Sequence, residues 1–222
     1  MEKERHVLVI LPHPDDEAFG ASGTISLHSG KGTPVTYACC TLGEMGRNMG
    51  NPPVANRETL PLIRKNELIN ATKAIGITDL RMLGLRDKTL EFEDIDELAD
   101  RFRAIIEEVN PSLVISFYPG YSVHPDHDAT GAAVVHAMKQ MPKEARPKLQ
   151  CMAFSNDCFE KLGEPDLVVD ITSVQDKKIT CILAHETQTS AVMENLSEKL
   201  LNKDPDALAW ISTERFWTYR FA

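Results

Sequence analysis

Residues 7–17 read Val7-Leu8-Val9-Ile10-Leu11-Pro12-His13-Pro14-Asp15-Asp16-Glu17. Residues 113–127 repeat that grammar: Leu113-Val114-Ile115-Ser116-Phe117, a turn through Tyr118-Pro119-Gly120-Tyr121, then His124-Pro125-Asp126-His127. In both, a short apolar run rich in β-branched residues leads into histidine, proline and acid. The runs do not alternate polar with apolar, a pattern of strands covered on both faces, as in a parallel sheet. Pro14 and Pro125 have a φ suited to a first helical turn. Each motif is therefore expected at a strand-to-helix junction, with acids at a helix N-terminus, where the dipole favours anions.

Working outward, further strand-like runs are Val35 to Cys40, Met152 to Phe154 and Leu167 to Ile171, with Leu80 to Leu83 weaker. Helical spacing appears over Arg57 to Ile75 and over Ile95 to Val109, where Pro111 stops it. Asp128 to Met141 and Val174 to His185 complete the helical set. The alternation predicts βαβ units with right-handed crossovers, hence an α/β fold with a mostly parallel sheet and helices on both faces. Residues 1–222 are read as one domain. The irregular stretch Gly43 to Asn56 reads as a long loop after the second strand. Ligands of such sheets bind at the carboxyl ends of strands, where both histidine motifs and this loop fall.

With 24 Lys and Arg against 33 Asp and Glu, the net charge of -9 argues against nucleic acid or an anionic membrane as partner. An anionic substrate would need a local cluster of arginines. The five cysteines include the adjacent pair Cys39-Cys40 and form no CxxC, which suits reduced thiols in a cytoplasmic protein. The first apolar run is too short for a signal segment or a membrane span.

Between them the two motifs hold three His and three Asp. Zinc hydrolases use three protein ligands and keep an open position for water and substrate. The bound water is acidified toward neutral pH, and a neighbouring base takes its proton. His13, Asp16 and His127 are read as ligands and Asp15 as the base. His124, paired with Asp126, is read as an imidazolium facing the tetrahedral intermediate. Zn2+ suits this donor set, and Fe2+ accepts similar ligands. Taken singly, the acids could be helix caps. His6, His28 and His136 stay ordinary polar residues.

The chain resembles the PIG-L/LmbE-like zinc-dependent N-deacetylases. The resemblance is carried by Pro12 to Glu17, by Thr41-Leu42-Gly43-Glu44-Met45-Gly46, and by Arg64 and Glu67. It continues through Tyr118-Pro119, His124 to Gly131, Asp170-Ile171-Thr172, His185 and Gln188. It implies a Rossmann-like α/β domain, a substrate built on N-acetylglucosamine, and the same roles for His13, Asp15, Asp16, His124, Asp126 and His127. Within the family the likeness is greatest to deacetylases of N-acetylglucosaminyl-malate in bacillithiol biosynthesis. Relatives of this kind are commonly homo-oligomers. The family's last element often reads His-x-Ser-Gln; here it is His185-Glu186-Thr187-Gln188, read as an ordinary helix C-terminus.

Malate is a dicarboxylate, so Arg47, Arg57 and Arg64 are the candidates to bind it. Their alternative is surface solvation, or for Arg64 an i,i+3 pair with Glu67. Three other functions fit less well: an amidase of thiol S-conjugates, a deacetylase of another N-acetyl sugar, and a non-enzymatic sugar- or metal-binding protein. The last has no use for Asp15 beside a full ligand set.

Overall fold

The computed structural model describes residues 2–221. Five parallel strands form its centre: β1 (Val7–Leu11), β2 (Val35–Cys39), β3 (Asp79–Met82), β4 (Leu113–Phe117) and β5 (Lys148–Met152). The sheet order is β3-β2-β1-β4-β5-β7-β6, with β6 (Leu167–Asp170) and β7 (Thr213–Thr218) at one edge. β7 is antiparallel to both β5 and β6, so the sheet is mixed at that edge.

Alternate residues of β1 enter two different cores. Val7, Val9 and Leu11 join a cluster with α1 (Asp16–Gly20), α2 (Ser22–Gly30), α3 (Leu60–Ala74), α7 (Gln175–Ala184), α8 (Glu186–Leu201) and α9 (Pro205–Ser212). Leu8 and Ile10 join the opposite cluster, with α4 (Ile95–Val109) and α5 (Pro125–Lys139), and the short α6 (Cys158–Leu162) lies between β5 and β6 in the chain. Every residue of β1 is fully buried, which is why its sequence shows no alternation. Gly131 lets α5 lie close on the sheet, because a Cβ there would meet the Phe117 carbonyl.

From β1 the chain winds outward through β2 to β3, then returns to place β4 on the other side of β1. The switch point therefore falls between the carboxyl ends of β1 and β4, where the two histidine motifs begin.

Two expectations are corrected. The fifth strand is Lys148–Met152, earlier than Met152 to Phe154; its Lys148 is exposed and Gln150 half-buried, so it lacks a continuous apolar run. β7, α2, α8 and α9 are additions to the expected elements; in β7, Glu214 and Arg215 interrupt the apolar run. Pro14 lies in a turn two residues before α1 rather than in its first turn, whereas Pro125 does open α5. Among the described residues no helix is long and apolar enough to cross a membrane.

Candidate active site

The end of β1 turns sharply at Asp15, whose backbone is left-handed at φ 103 and ψ -24. For a non-glycine residue that conformation costs about 1–3 kcal/mol and persists only when its surroundings impose it. At the end of β4, His124 caps α5: its Nδ1 accepts the Asp126 backbone N–H at 3.1 Å. The His127 ring stacks on Phe117 at 4.1 Å with planes 3° apart, which fixes its orientation.

Three side chains then converge. His13 Nδ1 lies 3.2 Å from His127 Nε2, Asp16 Oδ1 lies 3.1 Å from His127 Nε2, and Asp16 Oδ2 lies 3.5 Å from His13 Nδ1. Donors around a tetrahedral zinc at about 2.0–2.1 Å stand about 3.3–3.4 Å apart, so the triangle has the right size. The far nitrogens explain why a cation belongs there. His127 Nδ1 faces the Ser122 carbonyl at 3.1 Å, and His13 Nε2 faces Asp87 and Asp126, each at 3.1 Å. Those acceptors take the ring hydrogens, leaving two nitrogen lone pairs and a carboxylate facing one another. The residues fit a divalent metal.

The electrostatics agree. Burial works to lower the His13 pKa, but Asp126, Asp16 and Asp87 outweigh it and raise it well above the ordinary value. Burial works to raise that of Asp16, but His127 and His13 hold it far below the usual carboxylate range. Asp87 is likewise lowered by His13 against its burial. Asp15 behaves oppositely: burial pushes it up to about 6, with Arg64 opposing and Asp16 assisting. His124 is lowered by burial and by the nearby His13 and His127.

These groups line a cavity of about 440 Å³ that also includes Phe19, Met45, Arg47, Lys88 and Gln188. A larger cleft, about 690 Å³, lies on the other side of His124, but its titratable residues besides His124 are Glu91, Glu93 and Asp128. The candidate ligands and base therefore line the smaller cavity.

The predicted residues divide as follows. His13, Asp15, Asp16, His124 and His127 share the cavity. Asp126 does not orient His124 through its carboxylate: fully buried, it accepts from the backbones of Lys88 at 2.7 Å and Leu90 at 3.1 Å and faces His13. With Nδ1 accepting a hydrogen bond, His124 is a neutral ring that keeps its hydrogen on Nε2, where an imidazolium was expected.

Arg64 is buried, and its guanidinium donates to Gly43 O at 2.8 Å, to Pro14 O, and to Asp15 Oδ2 at 3.0 Å. Gly43, at φ 61, is required here, since any Cβ would collide with that guanidinium. Glu67 is not paired with Arg64; it accepts from Thr187 N and Oγ1 at 2.7 and 2.8 Å. Arg57 donates to Gly46 O at 2.6 Å and Glu44 O at 3.3 Å, outside the cavity lining. Of the three arginines, Arg47 is left exposed at the cavity, with Lys88 beside it as a second exposed cation.

Sequence reasoning misses Asp87, Lys88 and the role of His185. The signal for the first two was their position, just past a strand of the same sheet. His185 does close α7, but its side chain is fully buried against Glu17.

The sequence model of one family, described as PIG-L, GlcNAc-PI de-N-acetylase, matches residues 8–138. The chain belongs to the PIG-L family. That match spans β1 to α5 and contains both histidine motifs and Asp87. PIG-L relatives of nearly the same length exist. The chain is 57% identical over 218 residues to a probable N-acetyl-alpha-D-glucosaminyl L-malate deacetylase 2 of Bacillus subtilis (strain 168), covering 98% of this chain and 99% of that one. It is 47% identical over 221 residues to a protein of the same description from Bacillus anthracis, covering 100% and 98%.

Among solved structures, the N,N'-diacetylchitobiose deacetylase of Pyrococcus horikoshii superposes with a TM-score of 0.74 at 23% identity, covering 97% of this chain and 84% of that one. GalB of Pseudomonas putida KT2440, a 4-carboxy-2-hydroxymuconate hydratase, superposes at 0.70 with 20% identity, covering 98% and 97%. The fold thus carries both a deacetylase and a hydratase, and chemistry must be argued from the site.

Proposed function

We propose that this chain is a zinc-dependent N-deacetylase that removes acetate from N-acetylglucosaminyl-malate in bacillithiol biosynthesis. The observation that carries the reading is the triangle of His13, Asp16 and His127 with Asp15 beside it in one cavity. The near-full-length likeness to the Bacillus deacetylases supports the choice of substrate.

Zinc held by His13, Asp16 and His127 supplies Lewis acidity, polarising the amide carbonyl and acidifying water; Fe2+ suits the same donors. Asp15 takes the proton of the attacking water. Its raised pKa, about 6, makes it a stronger base than an ordinary carboxylate while leaving it mostly ionised at neutral pH. His124 donates its Nε2 hydrogen to the carbonyl oxygen as negative charge develops there. Collapse expels the amine, which receives the proton Asp15 had taken, and acetate leaves. Asp126 and Asp87 hold the His13 ring. Arg47 and Lys88 receive the malate carboxylates at the cavity wall, and Arg64 holds Asp15. Five buried free cysteines support a reducing, cytoplasmic setting.

The test is acetate and amine release by the zinc-loaded protein from N-acetylglucosaminyl-malate, free N-acetylglucosamine and a neutral N-acetylglucosaminide. The expected kcat/KM ranking places the malate conjugate first by at least about tenfold. Equal rates on all three would remove malate recognition, and release from none would remove the deacetylase reading.

A further inference from the structure

Behind the cavity lies a buried pair that the chemistry above does not use. His185 Nε2 stands 2.6 Å from Glu17 Oε1, with both side chains fully buried. Cys181 Sγ lies 4.0 Å from the same oxygen. The 2.6 Å separation is a hydrogen-bond distance, shorter than the spacing of two ligands around one metal, so this cluster is a hydrogen-bonded pair and not a second metal site.

The other oxygen of Glu17 points toward the reaction. Oε2 accepts from Tyr37 Oη at 3.1 Å and from the Asp15 backbone N–H at 3.2 Å. That N–H belongs to the residue held in the left-handed conformation. Two grips therefore fix Asp15: Glu17 on its backbone and Arg64 on its carboxylate.

Both grips lead to the junction of α7 and α8. His185 holds Glu17, while Thr187 holds Glu67, on α3 with Arg64. Gln188 donates to the Asn48 carbonyl at 3.0 Å, tying down the loop that carries Arg47. The family match ends at residue 138 and does not reach this junction.

We propose that Glu17 and His185 are positioning residues, a buried pair that fixes the Asp15 backbone so that the α7–α8 junction sets the aim of the base. The inference rests on Asp15 being the proton acceptor.

The test is a double-mutant cycle on the zinc-loaded full chain. Acetate release from N-acetylglucosaminyl-malate is followed with sensitive amine detection, and bound zinc is counted in every variant. Misplacing a reacting group by about 1 Å costs about 100-fold. Glu17→Ala is therefore expected to lower kcat about 100-fold, with KM within about twofold and zinc unchanged. Glu17→Gln keeps an acceptor for the Asp15 N–H and should recover to within about tenfold of wild type.

In an Asp15→Asn background, Glu17→Ala should cost less than about threefold, because there is no base left to aim. The same loss in both backgrounds, or loss of zinc in proportion to activity, would overturn the proposal. Should Glu17→Ala fail to fold, His185→Gln carries the same cycle, with about a tenfold loss expected beside Asp15 and none beside Asn; equal losses overturn it. Wild-type turnover by Asp15→Asn itself would instead remove Asp15 as base, so the two failures are told apart.

Discussion

Replacing Arg64 by methionine separates two roles for that residue. Its guanidinium donates to Asp15 Oδ2 at 3.0 Å and to Gly43 O at 2.8 Å, and only 4% of its side chain is exposed. Arg64 opposes the burial that brings the Asp15 pKa to about 6. An arginine adjacent to a carboxylate lowers its pKa by about 1–3 units. Without Arg64 the Asp15 pKa should therefore rise to about 7–9. At any pH on the acid limb the ionised fraction, and turnover with it, should therefore fall by about tenfold or more.

The sign is fixed: the base works ionised, so activity is lost as pH falls through this pKa, and raising the pKa moves the acid limb to higher pH. A cation at the donor triangle lowers the limb in both proteins, so the difference between them is the quantity to read. The assay is kcat against pH from 5 to 9.5 on the malate conjugate and on a neutral glycoside. Methionine should move the limb up on both substrates, with activity partly recovered at high pH, while KM changes little. An unmoved limb with KM raised only for the malate conjugate would refute this reasoning and make Arg64 a substrate contact.

Three further predictions follow from the same geometry. Asp87→Asn leaves His13 Nε2 with Asp126 alone as a carboxylate partner, so zinc affinity measured by competition with a chelator should fall about 10–100-fold; unchanged affinity would show that Asp87 does not support the ligand. Arg47→Met with Lys88→Met should raise KM for the malate conjugate about tenfold or more and leave a neutral glycoside within about twofold, and equal changes on both would exclude them as carboxylate partners. His28 is 1% exposed, and burial lowers its pKa to about 4. The unfolded chain therefore binds its proton first as pH falls below about 6.5, and stability should drop by about 1.4 kcal/mol per pH unit down to about pH 4. Urea unfolding at pH 7.5, 6, 5 and 4 checks this, since His28→Met should flatten that part of the decline and an unchanged slope would assign it elsewhere.

The sequence is most readable where one local rule decides the structure. β1 and β4 are buried on both faces, so their apolar runs identify them without reference to the rest of the chain. The helix of residues 95–109 has its cap, Asp94, and its stop, Asn110-Pro111, written locally. Legibility fails where a residue is chosen by a distant partner. β7 carries Glu214 near its start because that carboxylate accepts the N–H groups of Gly23 and Thr24, almost the whole chain away. Glu67 looks like a surface partner for Arg64 until Thr187 arrives to claim it.

In the site, His13, Asp15 and Asp16 fall in one motif and His124 and His127 in another, so these candidates were legible from the sequence. What holds them was not. Asp126 sits two residues from His124, yet its carboxylate faces His13 from another strand end. His185 reaches Glu17 across 168 positions. These supports depend on the sheet order, which periodicity alone does not contain.

The most direct test of the account is anomalous diffraction at the zinc edge from crystals of the metal-loaded protein. The account predicts one strong peak within about 2.0–2.2 Å of His13 Nδ1, His127 Nε2 and an Asp16 oxygen, with Asp15 beside it and not bound. A peak between His13 Nε2, Asp87 and Asp126, or one at Glu17, Cys181 and His185, would contradict it.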